Sequence, residues 1–239
     1  MATAILVDGA FFIKRFRKLE PHNSYNATRA AECIFRWSLA HLSRGNSARR
    51  ELYRIFFYDC PPLEKRMHNP ISRRCVDFRK SNEAVFRNEL HKALRTKRKL
   101  ALRLGHLSTD VSWTIKPSKI AALLNKEISI DDLTEQDVQV NVRQKGVDMR
   151  IGVDVASLSF KKQVDQIVLI AGDADFVPAA KMARREGIDF ILDPMWRSIP
   201  ESLNEHVDGV RSTCPRPKKS GLAALMIPAV EAASDAVPS

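Results

Sequence analysis

The sequence predicts an α/β protein, a three-layer α/β/α arrangement with a central, mostly parallel sheet, and three observations lead there. Ala4-Ile5-Leu6-Val7 and Ile167-Val168-Leu169-Ile170 are apolar runs without alternation, as strands buried on both faces require. Stretches with apolar residues at helical spacing lie between such runs. Both runs lead into carboxylates, at Asp8 and at Asp173 and Asp175, and ligands of open α/β sheets collect outside the carboxyl ends of the strands.

Taken in order, the first strand closes at Asp8-Gly9. From Asn26 to Leu42, Ala30, Ile34 and Trp37 recur at helical intervals and predict a helix that covers one sheet face, with Arg29, Glu32 and Arg36 towards water. Leu52 to Asp59 is aromatic and β-branched, hence a strand, and Cys60-Pro61-Pro62 stops it. Asp59 is a third strand-end acid, one that the rigid turn after it could employ equally well. Arg74 to Thr96 reads as a basic helix, and Lys99 to Leu104 alternates basic and apolar residues as a strand with one wet face would.

Signals weaken over residues 108–137, which read as an insertion holding a short strand around Trp113 and Ile115 and a short helix over Ile120 to Leu124. Val138 to Val142 alternates again. A helix then opens at Gln144-Lys145-Gly146-Val147-Asp148, with Val147, Ile151, Val155 and Leu158 within about 80° of one another at 100° per residue. Asp148 occupies its first turn, where a carboxylate is favoured. Asp154 projects onto the apolar stripe and needs a hydrogen-bonding partner there.

After the second buried run Gly172 permits a sharp turn, Pro178 lies in the first turn of a helix running to Arg185, and Gly187 closes that helix. Ile188 to Leu192 reads as the last strand, Asp193-Pro194 as its exit, and Ser198 to His206 as a short closing helix. Residues 213–239 are rich in Pro, Ala and Ser and read as a flexible tail, which leaves one domain over residues 1–212.

Composition narrows the function. With 239 residues, 44% apolar and 28% charged, the chain is an ordinary globular protein. No apolar stretch reaches the roughly eighteen residues of a membrane span, and the N-terminus lacks the pattern of a signal peptide, so a cytoplasmic location is expected. Four cysteines without a C-x-x-C pair suit a reducing compartment, and the loose group Cys60, His68 and Cys75 matches no zinc-ligand spacing. The net charge of +11 points to a polyanionic partner. From Pro61 to Leu104 thirteen Lys or Arg face four acids, so Arg95, Arg98 and Lys99, with Lys145 further on, are the expected nucleic-acid contacts, which the resemblance described below makes RNA contacts.

In a parallel sheet Asp8, Asp148, Asp173 and Asp175 converge on one edge. Several carboxylates together call for cations, and oxygen-only ligation selects Mg²⁺ or Mn²⁺, which suits phosphodiester hydrolysis by a metal-activated water. No Ser/His/Asp or Cys/His arrangement competes. At these residues the chain resembles the NYN domain proteins, a branch of the PIN-like nuclease superfamily that includes the LabA-like bacterial proteins. The matching pieces are Val7-Asp8-Gly9, Lys145-Gly146-Val147-Asp148 with Asp154 after it, and Gly172-Asp173-Ala174-Asp175-Phe176 followed by Pro178.

The resemblance spans roughly residues 3–210 and implies a PIN-like α/β/α fold with metal-dependent ribonuclease activity. It makes Asp8, Asp148, Asp173 and Asp175 the catalytic, metal-binding acids and Asp154 a further acid. The chain departs from the family at Phe11, where Asn is frequent, and at Ala171 and Ala174, where small hydroxyl residues are usual. Those departures remove groups that could orient a carboxylate or a phosphate. A non-catalytic RNA-binding or regulatory protein on the same fold is therefore the alternative. A haloacid-dehalogenase phosphatase needs a second Asp two residues after the first, where this chain has Ala10.

Overall fold

The computed structural model describes residues 2–43 and 48–217, so the expected tail lies outside the described residues from position 218 onward. Six strands form one sheet: Ala2–Asp8 (β1), Glu51–Asp59 (β2), Leu100–Leu104 (β3), Gln166–Ile170 (β4), Asp189–Asp193 (β5) and Gly209–Val210 (β6). Their order is β3-β2-β1-β4-β5-β6, and every neighbouring pair is parallel. The winding direction reverses between β1 and β4, the switch point at which open α/β sheets hold their ligands. These two strands pair from Thr3 opposite Gln166 to Val7 opposite Ile170, so Asp8 and the Ala171-Gly172-Asp173 segment leave the sheet side by side.

Five helices of nine residues or more flank the sheet: Gly9–Leu19 (α1), Ala27–Ala40 (α2), Asn82–Arg95 (α3), Val147–Phe160 (α4) and Val177–Arg185 (α5). Ile5 and Val7 face Phe12 and Phe16 of α1, Ile34 of α2, and Phe86 and Leu90 of α3. Ala4 and Leu6 face Ile151 and Val155 of α4 and Ala180 and Ala183 of α5. Helices on both faces are the reason the apolar runs of β1 and β4 have no polar alternation: each of residues 4–7 and 167–170 enters one core or the other. No helix among the described residues is long and apolar enough to cross a membrane.

The structure adds or moves several elements. No element is expected over residues 10–25, yet α1 runs through them from Gly9 to Leu19, capped by Asp8 and burying Phe11, Phe12, Ile13 and Phe16. The basic helix is shorter than its composition suggests: Cys75–Asp77 is a strand paired antiparallel with Arg66–His68, and Ser81, accepting from the Ala84 amide, caps α3 only there. Gln144–Lys145 is extended, paired with His106–Leu107, so α4 opens at Val147 rather than at Gln144. The short β6 follows the strand expected to be last, and the closing helix contracts to Glu201–Asn204.

The insertion expected over residues 108–137 is part of a longer arm, in which Ser112–Ile115 pairs with Val138–Asn141 around a helix at Pro117–Leu124. Thr213 and Cys214, at the start of the expected tail, are part of the packed domain: the Thr213 hydroxyl donates to the Trp37 carbonyl at 2.8 Å, and Cys214 is buried.

Asp59 ends β2 fully buried, where Arg87 of α3 pairs with it and His91 Nε2 lies 2.7 Å from its Oδ2. The acid that could have served a turn instead fastens α3 to the sheet. Removing one partner of a buried pair leaves a charge without compensation, so Arg87→Met should lower urea-measured stability by about 3–5 kcal/mol. The double variant Asp59→Asn/Arg87→Met should regain a substantial part of that loss.

Candidate active site

Asp8 is half-buried and accepts a hydrogen bond from the Phe11 amide at 3.1 Å, which fixes its carboxylate at the head of α1. Burial is the main cause that pushes its carboxyl up to about 6; the Phe11 amide opposes this, while the nearby Asp148 and Asp59 charges add to it. Asp148, in the first turn of α4, is also raised, by desolvation first and then by Asp173 and Asp175. Asp173 accepts from the Asp175 amide at 3.3 Å and so caps the turn Ala174–Phe176 beyond β4. The fold thus brings the four expected acids to one edge, where they act on one another through space.

Two close contacts shape this rim. A Cβ on Gly172 would lie 2.5 Å from Phe11 Cε2, so glycine is required there by the approach of a buried ring rather than by a turn of the backbone. Phe11, one of the departures from the family pattern, therefore donates its amide to the capping Asp8 and fills the space beside Gly172 with its ring. Gly146 has φ +79°, the left-handed backbone that favours glycine, and delivers Asp148 to the first turn of α4. His106 stands against Gly146, paired in register with Lys145. Nothing in the sequence marks this histidine, because only the pairing of distant segments brings it to the rim.

Other expected residues lie elsewhere. Asp154 accepts from the Tyr58 hydroxyl at 2.8 Å and pairs with Arg103 at 3.1 Å. It has the partner that its place on the apolar stripe demands, and that commitment separates it from the rim. Burial and the Asp154 charge hold the Tyr58 phenol well above its usual range. Asp193 is likewise engaged, with His41 Nε2 at 2.9 Å and the Met195 amide donating at 2.8 Å.

The basic block is divided between the two ends of the sheet. Lys99 immediately precedes β3 and donates to the Leu52 carbonyl at 2.5 Å, so Arg95, Arg98 and Lys99 belong to the amino edge, opposite the acids. The reason is that α3 runs counter to the strands. On the acid side the exposed cations include Lys145 and Arg150, together with Lys65, Arg73, Arg74 and Lys80 in the connection from β2 to α3.

Among the described residues, no three His, Cys, Asp or Glu side chains stand close enough to enclose a metal ion. The rim nevertheless fits a hard cation in chemistry. Its donors are all carboxylate oxygens, their mutual repulsion is relieved by a divalent charge, and Mg²⁺ retains several waters and takes only one or two protein carboxylates.

A doubly wound α/β domain carrying acids at its switch point is the architecture of a PIN-like nuclease domain. The chain belongs to the NYN domain family, whose pattern matches residues 57–212, including Asp148, Asp173 and Asp175. Asp8 precedes that segment, but β1 lies in the sheet between the matched strands β2 and β4. NYN is a PIN-like nuclease domain family, so the general function is nuclease-type and directed at nucleic acid. A crystal structure of a protein of unknown function from Vibrio parahaemolyticus is similar, with 17% identity, a TM-score of 0.43, and coverage of 87% of this chain and 90% of that one. Among curated proteins none matches.

The raised Asp8 carboxyl sets a pH dependence for the metal-free protein. Its protonated form is favoured on folding, so this contribution to stability is present below about pH 4 and is lost as pH rises through about 6. Asn keeps the capping oxygen without the charge. Metal-free Asp8→Asn should therefore melt above wild type at pH 8, by the equivalent of roughly 2 kcal/mol, with the difference vanishing near pH 4. Melting curves across that range in EDTA provide the measurement.

Proposed function

We propose that the protein is a metal-dependent endoribonuclease that hydrolyses RNA phosphodiester bonds at the rim of Asp8, Asp148, Asp173 and Asp175, using Mg²⁺ or Mn²⁺. The observation that carries this reading is that the pairing of β1 with β4 and the start of α4 after Gly146 set Asp8, Asp148, Asp173 and Asp175 on the carboxyl edge of an NYN domain. Carboxylates kept together against their own repulsion are arranged for a cation.

In this reading one or two of the four carboxylates would ligate the ion directly, and the others would reach it through its water shell. When bound, it supplies Lewis acidity towards the phosphate and a lowered pKa for the attacking water. Asp8 is oriented by the Phe11 amide, and Asp173 by the Asp175 amide, so both carboxylates are positioned before substrate arrives. Lys145 and Arg150 flank Asp148 along the chain and bind phosphates on either side of the scissile bond.

Incubation of labelled single-stranded and hairpin RNA with Mn²⁺ or Mg²⁺ should yield internal fragments, and EDTA should abolish them. Asp173→Asn should lower kcat by about two orders of magnitude or more while RNA affinity stays within a few-fold. If wild type binds RNA but leaves it intact with both metals, the non-catalytic reading replaces this one. Lys145→Glu should weaken RNA binding and flatten its salt dependence by about 0.7 in log–log slope. Arg95→Glu/Arg98→Glu, on the opposite edge, should leave turnover unchanged.

A further inference from the structure

Beside the rim, a cavity of about 310 Å³ opens between the turn after β2, the start of α3 and the root of the arm. We infer that this cavity receives one base of a bound single-stranded RNA and gives the protein its base preference. The inference rests on the rim being an RNA site and adds where the strand next to it lies.

The walls are suited to the face of a base. Pro61, Pro62, Phe78, Leu107 and Val140 present flat or aliphatic surface, and the size falls at the low end of small-molecule sites, roughly 300–1,000 Å³. That admits one base, not a stacked run. Phe78 is itself supported by Trp113 of the arm, with ring centroids 6.0 Å apart. Polar recognition comes from Gln144, an exposed lining residue whose carboxamide offers both a donor and an acceptor to a base edge. Arg87 also lines the cavity but is committed to Asp59 and Glu83.

Position and charge choose the occupant. Gln144, Lys145 and Asp148 follow one another along a single strand-turn-helix segment, so a base held at Gln144 has its phosphate within the reach of Lys145 and the scissile region beside Asp148. Lys65 and Lys80 adjoin lining segments on the far side. Glu83, the acid on the cavity wall, is paired with Arg17 and Arg87, so its charge is compensated beside the base.

The test uses fluorescein-labelled ten-nucleotide strands in EDTA, which prevents cleavage, with a single abasic ribose placed at each position in turn. Anisotropy should show one position where losing the base weakens binding about tenfold, within the range that stacking of one base supplies. Val140→Trp, which fills the cavity, should weaken the intact strand and remove that position dependence. Gln144→Ala, an exposed substitution compatible with the fold, should equalise A, C, G and U at the sensitive position. Uniform losses at every position, with RNA still bound and cut once metal is added, would overturn the base seat and leave the nuclease reading standing. Failure of wild type to bind any strand would overturn both.

Discussion

Parallel pairing of β1 with β4 at the centre of the sheet is the constraint from which the rest follows. It sets Val7 beside Ile170, and the two chains then diverge into α1 and into the turn before α5. Asp8 and Asp173 owe their neighbourhood to that register. A slip of one residue would exchange the two cores, because Ile5 and Val7 serve one face and Ala4 and Leu6 the other. Packing against two helical layers therefore fixes the acids as firmly as it fixes the strands.

The rim works against the stability of the fold that bears it. Asp8 is half-buried beside the Asp148 charge, and Asp148 faces Asp173 and Asp175. Elsewhere the protein gives its buried acids cationic or hydrogen-bonding partners: Arg87 and His91 for Asp59, Tyr58 and Arg103 for Asp154, His41 for Asp193. Among the described residues, the rim acids accept hydrogen bonds from backbone amides alone, at Asp8 and Asp173. This contrast separates acids that hold the structure together from acids left open to a ligand.

What could be read from the sequence followed from burial that is uniform along a segment. The central strands were visible because two covered faces leave an unbroken apolar run, and α4 because its stripe is regular. By contrast, α1 crowds its apolar residues into Phe11, Phe12, Ile13 and Phe16, a span too short for periodicity to show. The pairing of Arg66–His68 with Cys75–Asp77 holds only three residues a side and depends on contacts made elsewhere. Charge counting located a basic block but not the reversal of direction in α3, which sends Arg95, Arg98 and Lys99 to the far edge. The place of Asp154 on an apolar stripe signals a partner, but only the fold brings Tyr58 and Arg103 to it.

The arm joins the domain through a narrow root. His106–Leu107 and Gln144–Lys145 pair at its base, just before Gly146 turns the chain into α4. Closure at that point makes the placement of Asp148 nearly independent of how much chain lies beyond it, since doubling a loop costs only about 0.6 kcal/mol of closure entropy. The acid edge can thus stay as it is while the arm is lengthened, shortened or exchanged, because the short pairing at the root carries none of the arm's length into α4.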